Sequence, residues 1–228
     1  MLRAITFDVW DTLLWEEPGS LRTERLAYWD EHGIRGAEDA HDEAHRTYVE
    51  AWQRGEQFRI EEASELIAAR LGIADRRETL LEGFREGGRR ATVEAAPGAR
   101  ECLAQLRDRG LAIGIVCDIG LTPSTVVREL LDRENLLEFF DAMTFSDEAG
   151  HFKPAPEIFA VALADLGGIE PAAAAHIGDR RRTDVAGALG MGMLAIRFVG
   201  PRDHETESAP EGDLVVERLD ELSAALPA

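Results

Sequence analysis

Six short runs of apolar residues dominate what this chain must bury. They are Ala4-Ile5-Thr6-Phe7, 111–117, 142–145, 174–177, 193–198 and 214–216, and most are apolar throughout rather than at every second position. Each has the length of a strand, and helix-like segments separate them. Pro97-Gly98 starts one helix that ends at Gly110, Thr122-Pro123 opens another, Pro156 to Leu166 is a third, and a fourth runs through Val185 to Leu189. A strand buried on both faces has no solvent side to alternate toward. This pattern therefore predicts an α/β core with a Rossmann-like parallel sheet, covered by helices on both faces.

The stretch 15–95 differs. Its apolar residues recur at helical spacing, as in Tyr48 with Trp52, Leu66-Ile67 with Leu71, and Leu80-Leu81 with Phe84, and it holds no convincing strand. Four helices are expected, the first capped by Ser20 and the last by a capping box of Asp75 and Glu78. The predicted organisation is a core of 1–14 and 96–228 carrying a helical insertion, 15–95. At 228 residues and 45% hydrophobic content, the chain can bury a full core.

The 44 acidic and 25 basic residues leave a formal charge of −19, which repels phosphate backbones and anionic membranes. Nucleic acid and membrane are excluded as partners, and a small-molecule substrate is expected. No run approaches the roughly 18 apolar residues of a membrane span, and Asp8 interrupts the N-terminal apolar run where a signal peptide would need continuity. Only two cysteines occur, Cys102 and Cys117, a count suited to a reducing compartment; the expectation is a cytoplasmic protein. All but one of the 25 basic residues are arginine, so Lys153 stands out. Lys and Arg do not substitute for one another where a compact ammonium is needed.

Open parallel sheets bind ligands beyond the carboxyl ends of their strands. After the first run comes Asp8, and after the second Cys117-Asp118-Ile119-Gly120. Ser146-Asp147 and then Lys153 follow the third, and Gly178-Asp179 with Asp184 follow the fourth. Carboxylates, a thiol and the only lysine are thus expected along one edge.

In that order these residues resemble the haloacid dehalogenase superfamily of hydrolases, across nearly the whole chain. Phe7-Asp8-Val9-Trp10-Asp11-Thr12-Leu13 is similar to the family's Asp-x-Asp-x-Thr motif, and Cys117-Asp118-Ile119-Gly120 stands where the family has Ser or Thr. Lys153-Pro154 resembles the third motif, and Gly178-Asp179 through Asp184 fits Gly-Asp-x-x-x-x-Asp. The insertion resembles the helical cap of subfamily I. The resemblance implies Asp8 as the nucleophile and Mg²⁺ held by Asp8, the Trp10 backbone carbonyl and Asp179, with Asp184 close by or replacing it. Lys153 would hold Asp8 and the transferring group. Cys117 would take the place of the hydroxyl donor, and Trp10, Cys117 and Asp118 would face the substrate.

Two positions depart from the phosphatase pattern. Trp10 occupies the place of the family's general acid, and an indole N–H cannot transfer a proton near pH 7. General acid–base help is worth about 10²–10⁴-fold, so the chain is expected to favour leaving groups that depart unprotonated and to be weak on ordinary phosphomonoesters. Asp11 is the substitute acid to consider, although neighbours at a strand end point in different directions. Cys117 offers a thiol in place of a hydroxyl, a weaker hydrogen-bond partner. A bulky residue at position 10 also resembles the dehalogenase branch, which displaces halide from carbon without metal. Against that, Asp179 and Asp184 would crowd charge around Asp8 unless a cation were bound. The phosphonatase branch needs a cap lysine, which is lacking. A binding or regulatory protein that keeps the fold without turnover is the alternative from another class.

Smaller signals have simpler readings. Arg180-Arg181-Arg182 reads as a salt-paired surface, and the aromatics Trp15, Tyr28, Trp29, Tyr48 and Trp52 mainly as core. His151 and His176 lie near the presumed site and read as structural. The polar tract Asp203 to Gly212 reads as a surface loop.

Overall fold

The structure is a computed structural model and describes residues 1–200 and 209–227; most of the tract 203–212 lies outside them. In chain order the first elements are β1 (Ala4–Phe7), β2 (Leu14–Glu16), α1 (Ser20–Glu31), α2 (Glu38–Gln53), α3 (Ile60–Leu71), α4 (Arg77–Arg90) and β3 (Val93–Ala95). There follow α5 (Ala99–Asp108), β4 (Ala112–Cys117), α6 (Ser124–Arg133), β5 (Ala142–Phe145), α7 (Ser146–Ala149), α8 (Pro156–Asp165) and β6 (Ala174–Gly178). The last are α9 (Ala186–Met191), β7 (Leu194–Phe198), β8 (Leu214–Val216) and α10 (Leu219–Ala225).

The six apolar runs form one sheet in the order β5-β4-β1-β6-β7-β8, and each of its strand pairs is parallel. β1 is central, buried at all four positions, with Phe7 opposite Ile115 on one side and Ile177 on the other. Consecutive side chains of a strand face opposite sides. On the face carrying Ala4, Val116 and Ala174, α8 supplies Ile158, Phe159, Ala162 and Leu163, and α9 with the residue before it supplies Ala188 and Val185, to one apolar cluster. Gly187 allows this closeness, because a Cβ there would lie 2.4 Å from the Phe159 ring.

By their contacts the residues divide into two units. One comprises Met1–Trp15, Glu94–Asp118 and Leu131–Ala228, and holds the six-stranded sheet. The other comprises Glu16–Val93 and Ile119–Leu130, and is built from helices.

Inside the helical unit, α1 and α4 approach closely over two glycines one turn apart. A Cβ on Gly83 would lie 1.8 Å from Trp29 Nε1, and one on Gly87 would lie 2.5 Å from Arg25 Cγ. Glycine inside a helix costs about 1 kcal/mol relative to alanine, a cost offset here by burying Trp29 completely. The Trp29 indole N–H donates to the Leu80 carbonyl at 3.1 Å. Tyr28 and Tyr48 are buried too, so these aromatics serve the core of the unit.

Several local expectations are corrected. The stretch 15–95 is not free of strand: β2 and β3 at its ends form a two-stranded ladder, too short to show any periodicity. Ser20 does not cap α1; left-handed Gly19 takes that position, and the Ser20 hydroxyl accepts from the Thr92 N–H. Asp75 falls in a 3₁₀ turn, and α4 begins after it with no side-chain cap. The reaching-back bond belongs to α3, where the Glu62 carboxylate accepts from the Arg59 N–H at 2.7 Å. Among the described residues, no helix is long and apolar enough to cross a membrane.

Candidate active site at the sheet edge

Parallel register carries the chemistry to one level. Asp8 follows β1 and donates its N–H to Ile177 O of β6 at 2.9 Å, while Cys117 ends β4 and Asp179 follows β6. Beyond Asp179 the chain makes a π-helical turn, Arg181–Val185, before α9. Such single turns are rare and recur at functional sites. This one turns Asp184 back over the end of β6, where a Cβ on Gly178 would lie 2.3 Å from Asp184 Cγ. Only glycine tolerates that approach, which gives the Gly178-Asp179 pair its physical reason.

Lys153 reaches the same place from the segment before α8. Its ammonium donates to Asp8 Oδ1 at 2.5 Å and to Asp184 Oδ1 at 2.6 Å, and all three side chains are nearly inaccessible to water. Asp8, Asp179 and Asp184 each offer a carboxylate oxygen within 4.8 Å of the others. Three buried carboxylates therefore lie together, and the Lys153 ammonium pairs with two of them.

The electrostatics follow from that imbalance. Burial pushes the Asp8 carboxyl well above its ordinary range, the Lys153 ammonium opposes this, and the charges of Asp184 and Asp179 add to it. For Asp184, burial is outweighed by Lys153 and by the bond from His176, so its carboxyl is held below the usual range. Burial likewise disfavours the Lys153 charge, but Asp184 and Asp8 more than reverse it and hold its pKa well above the ordinary value. A hard, oxygen-only donor set with excess negative charge is what a small divalent cation requires. The residues fit such an ion.

The other residues singled out from sequence fall into place unevenly. Asp118 accepts the Lys153 backbone N–H at 3.1 Å, so one of its carboxylate oxygens is committed to holding the segment that presents the lysine. Cys117 is fully buried, and burial followed by the Asp8 charge pushes its thiol well above the ordinary value; it is no thiolate. Trp10 is partly exposed. The chain reverses immediately after it, with Asp11 in the left-handed region at φ 59° and the Val9 carbonyl accepting from Leu13 and Leu14. Arg181 ion-pairs with Glu211, and His151 is exposed.

Two residues matter more than the sequence suggests. Thr6 and His176 are register partners on β1 and β6, and both are buried. His176 Nε2 lies 3.1 Å from Asp184 Oδ1, and Nδ1 lies 2.8 Å from the Thr6 hydroxyl. Burial depresses the imidazole pKa. The signal available in sequence was a polar residue in the middle of two otherwise apolar strands.

Comparison with known proteins identifies the family. The model of the haloacid dehalogenase-like hydrolase family matches residues 2–192. A phosphoserine phosphatase of Thermus thermophilus is 34% identical over 63% of this chain and 57% of its own length. A glyceraldehyde 3-phosphate phosphatase of Methanopyrus kandleri is 28% identical over 94% of this chain and 91% of its own. Haloacid dehalogenase-like hydrolase domain-containing protein 3 of Bos taurus is 34% identical over 60% of this chain, and the chain spans about half the length of that relative, 53%. Among solved structures, a HAD phosphatase from Thermococcus onnurineus superposes with a TM-score of 0.63 at 26% identity, covering 98% of this chain and 97% of that one. A 2-haloacid dehalogenase from Pseudomonas syringae shares the fold, with a TM-score of 0.71 at 19% identity over 98% and 97% of the two chains. The ordered motifs, the parallel sheet and the family match together show that this chain belongs to the haloacid dehalogenase-like hydrolase family.

Proposed function

We propose that the protein is a Mg²⁺-dependent phosphohydrolase in which Asp8 is the nucleophile and the substrate is a small phosphorylated metabolite with a good leaving group. The observation that carries this reading is the buried cluster of three carboxylates, two of them paired to the Lys153 ammonium. Asp8, Asp179 and the Trp10 backbone carbonyl would hold the cation, with Asp184 beside them. Bound there, Mg²⁺ would neutralise the carboxylates and the phosphoryl oxygens that otherwise repel one another. Relatives named as phosphatases of phosphoserine and glyceraldehyde 3-phosphate support a phosphorylated substrate.

In this reading an Asp8 carboxylate oxygen attacks phosphorus, the leaving oxygen departs with the bond electrons, and water then displaces Asp8 from phosphorus. The Lys153 ammonium holds Asp8 in position and offsets charge on the transferring group. Trp10 supplies no proton, so the leaving group must depart as a stable anion. Cys117, a buried neutral thiol at the end of β4, would face the substrate in place of a hydroxyl donor, as a weaker hydrogen-bond partner. The helical stretch 15–95 serves as the cap that selects the substrate.

The test is a panel of aryl, acyl and alkyl phosphates together with 2-haloacids, assayed with and without Mg²⁺. Wild type is expected to hydrolyse aryl and acyl phosphates only with Mg²⁺, Asp8→Asn to be inactive, and Trp10→Asp to gain alkyl phosphates. Strong wild-type turnover of alkyl phosphates would refute the role given to Trp10. Chloride release from a 2-haloacid without metal would favour the dehalogenase alternative, and Mg²⁺-dependent binding of phosphate analogues with no Asp8-dependent turnover would mark a binding protein.

A further inference from the structure

Besides Lys153, Asp184 is served by residues with no role in the reading above. Its Oδ1 accepts from Lys153 Nζ at 2.6 Å and faces His176 Nε2 at 3.1 Å. Its Oδ2 accepts from the Arg180 N–H at 3.1 Å and, more weakly, from the Thr183 hydroxyl at 3.4 Å. These four donors fill the lone-pair positions of a carboxylate, so the group has one orientation in which all are satisfied. An ionised carboxylate only accepts, which places the proton of the imidazole on Nε2 and leaves Nδ1 as an acceptor. The Thr6 hydroxyl is 2.8 Å from that nitrogen and 3.3 Å from Ala175 O, and the shorter contact to an open lone pair is the better bond.

The ring has little freedom to do otherwise. His176 is 1% exposed, and Phe159 packs edge-on against it with ring centres 5.1 Å apart. Thr6 is its register partner across β1 and β6, so the sheet itself sets the hydroxyl opposite the ring. From the backbone outward, the order is Thr6 to His176 to Asp184 to Lys153 to Asp8.

We infer that Thr6 and His176 are positioning residues: a buried tether that fixes the orientation of Asp184, and through it Lys153 and the cation site. This rests on the metal-dependent reading proposed above. Outer partners of metal-site residues typically contribute about 10–100-fold in metal affinity. The tether acts through one N–H, which separates it from a mere packing role, because Gln presents an N–H where Phe presents only volume.

Calorimetric titration of Mg²⁺ into wild type, His176→Phe, His176→Gln and Thr6→Val tests this, with circular dichroism to verify folding. Affinity is expected to fall about 10–100-fold in His176→Phe, to return mostly to the wild-type value in His176→Gln, and to fall by an intermediate factor in Thr6→Val. If His176→Phe does not fold, Thr6→Val against wild type carries the same comparison. Nitrogen-15 spectra of the folded wild type should show His176 protonated on Nε2. Unchanged affinity in the folded variants, a His176→Gln as weak as the Phe variant, or an Nδ1-protonated ring would overturn the tether while leaving the cation site standing. Failure of the wild type itself to bind Mg²⁺ would overturn both.

Discussion

Lys153 and Arg25 are equally buried, each 4% exposed, yet their surroundings differ in kind. Lys153, at the sheet edge, is clasped by the carboxylates of Asp8 and Asp184. Arg25, within the helical unit, donates to the Leu121 carbonyl at 2.8 Å and the Thr122 hydroxyl at 2.9 Å and lies over the Phe84 ring, while its Nε–H finds no acceptor among the described residues. Burial accordingly lowers the Arg25 pKa to about 10, whereas carboxylates overcome burial at Lys153 and raise it. Depth alone does not decide the fate of a buried charge; the partners that the architecture delivers do. A parallel sheet ends every strand on one edge and so collects acids there. Helices packed over Gly83 and Gly87 instead collect shape.

The contrast breaks first on removing the two cations. Lys153→Met should leave Asp8 and Asp184 buried without their counter-charge and lower stability by about 3–5 kcal/mol in urea titrations without divalent ions, with part of the loss regained when Mg²⁺ is added. Arg25→Met removes a charge that no carboxylate among the described residues is shown to ion-pair with, although the Glu16 charge favours it, and frees one carbonyl and one hydroxyl, so its cost should stay within about 1–2 kcal/mol. Equal losses would dissolve the distinction.

A second test concerns pH. Burial, and then the Arg25 charge, lowers the His41 pKa to about 4 in the helical unit. Unfolded, the same imidazole titrates near 6.5, so between those values the unfolded chain binds the extra proton and stability falls as pH drops. The expected loss is up to about 3 kcal/mol between pH 6.5 and 4, flattening below, and His41→Phe should remove that slope in denaturation curves measured across the range.

Glycines give a finer comparison. Gly83→Ala should cost about 1–3 kcal/mol by driving a methyl group into the Trp29 indole, and leave Mg²⁺ affinity untouched. Gly178→Ala forces Asp184 aside and should weaken Mg²⁺ binding as well as stability. Smallest of all, Gly190→Ala in α9 meets open space and should stabilise by about 0.5–1 kcal/mol in the same assay.

The sheet was legible in the sequence because a strand buried on both faces is apolar at almost every position. β5 and β8 match the expected runs to the residue. Strand order and register were not legible: nothing in a one-dimensional pattern pairs Thr6 with His176, 170 positions away, and so the Thr6–His176 contact was invisible. The gathering of the acids and Lys153 at one edge was legible because they come after strands, whereas the π-turn that aims Asp184 leaves no compositional trace. Capping at Ser20 and Asp75 was misread for a related reason. A left-handed glycine and a 3₁₀ turn begin those helices through backbone geometry, with no side-chain bond to betray it.

As a nucleophile toward phosphorus, Asp8 would carry the phosphoryl group covalently. Wild type mixed with Mg²⁺ and acetyl phosphate, quenched in acid within one turnover and digested, should yield a peptide containing Asp8 that is heavier by one phosphoryl group, and Asp8→Asn should yield none. An unmodified Asp8 in an enzyme that is nonetheless turning over, or a phosphoryl group carried on any other residue, would contradict it.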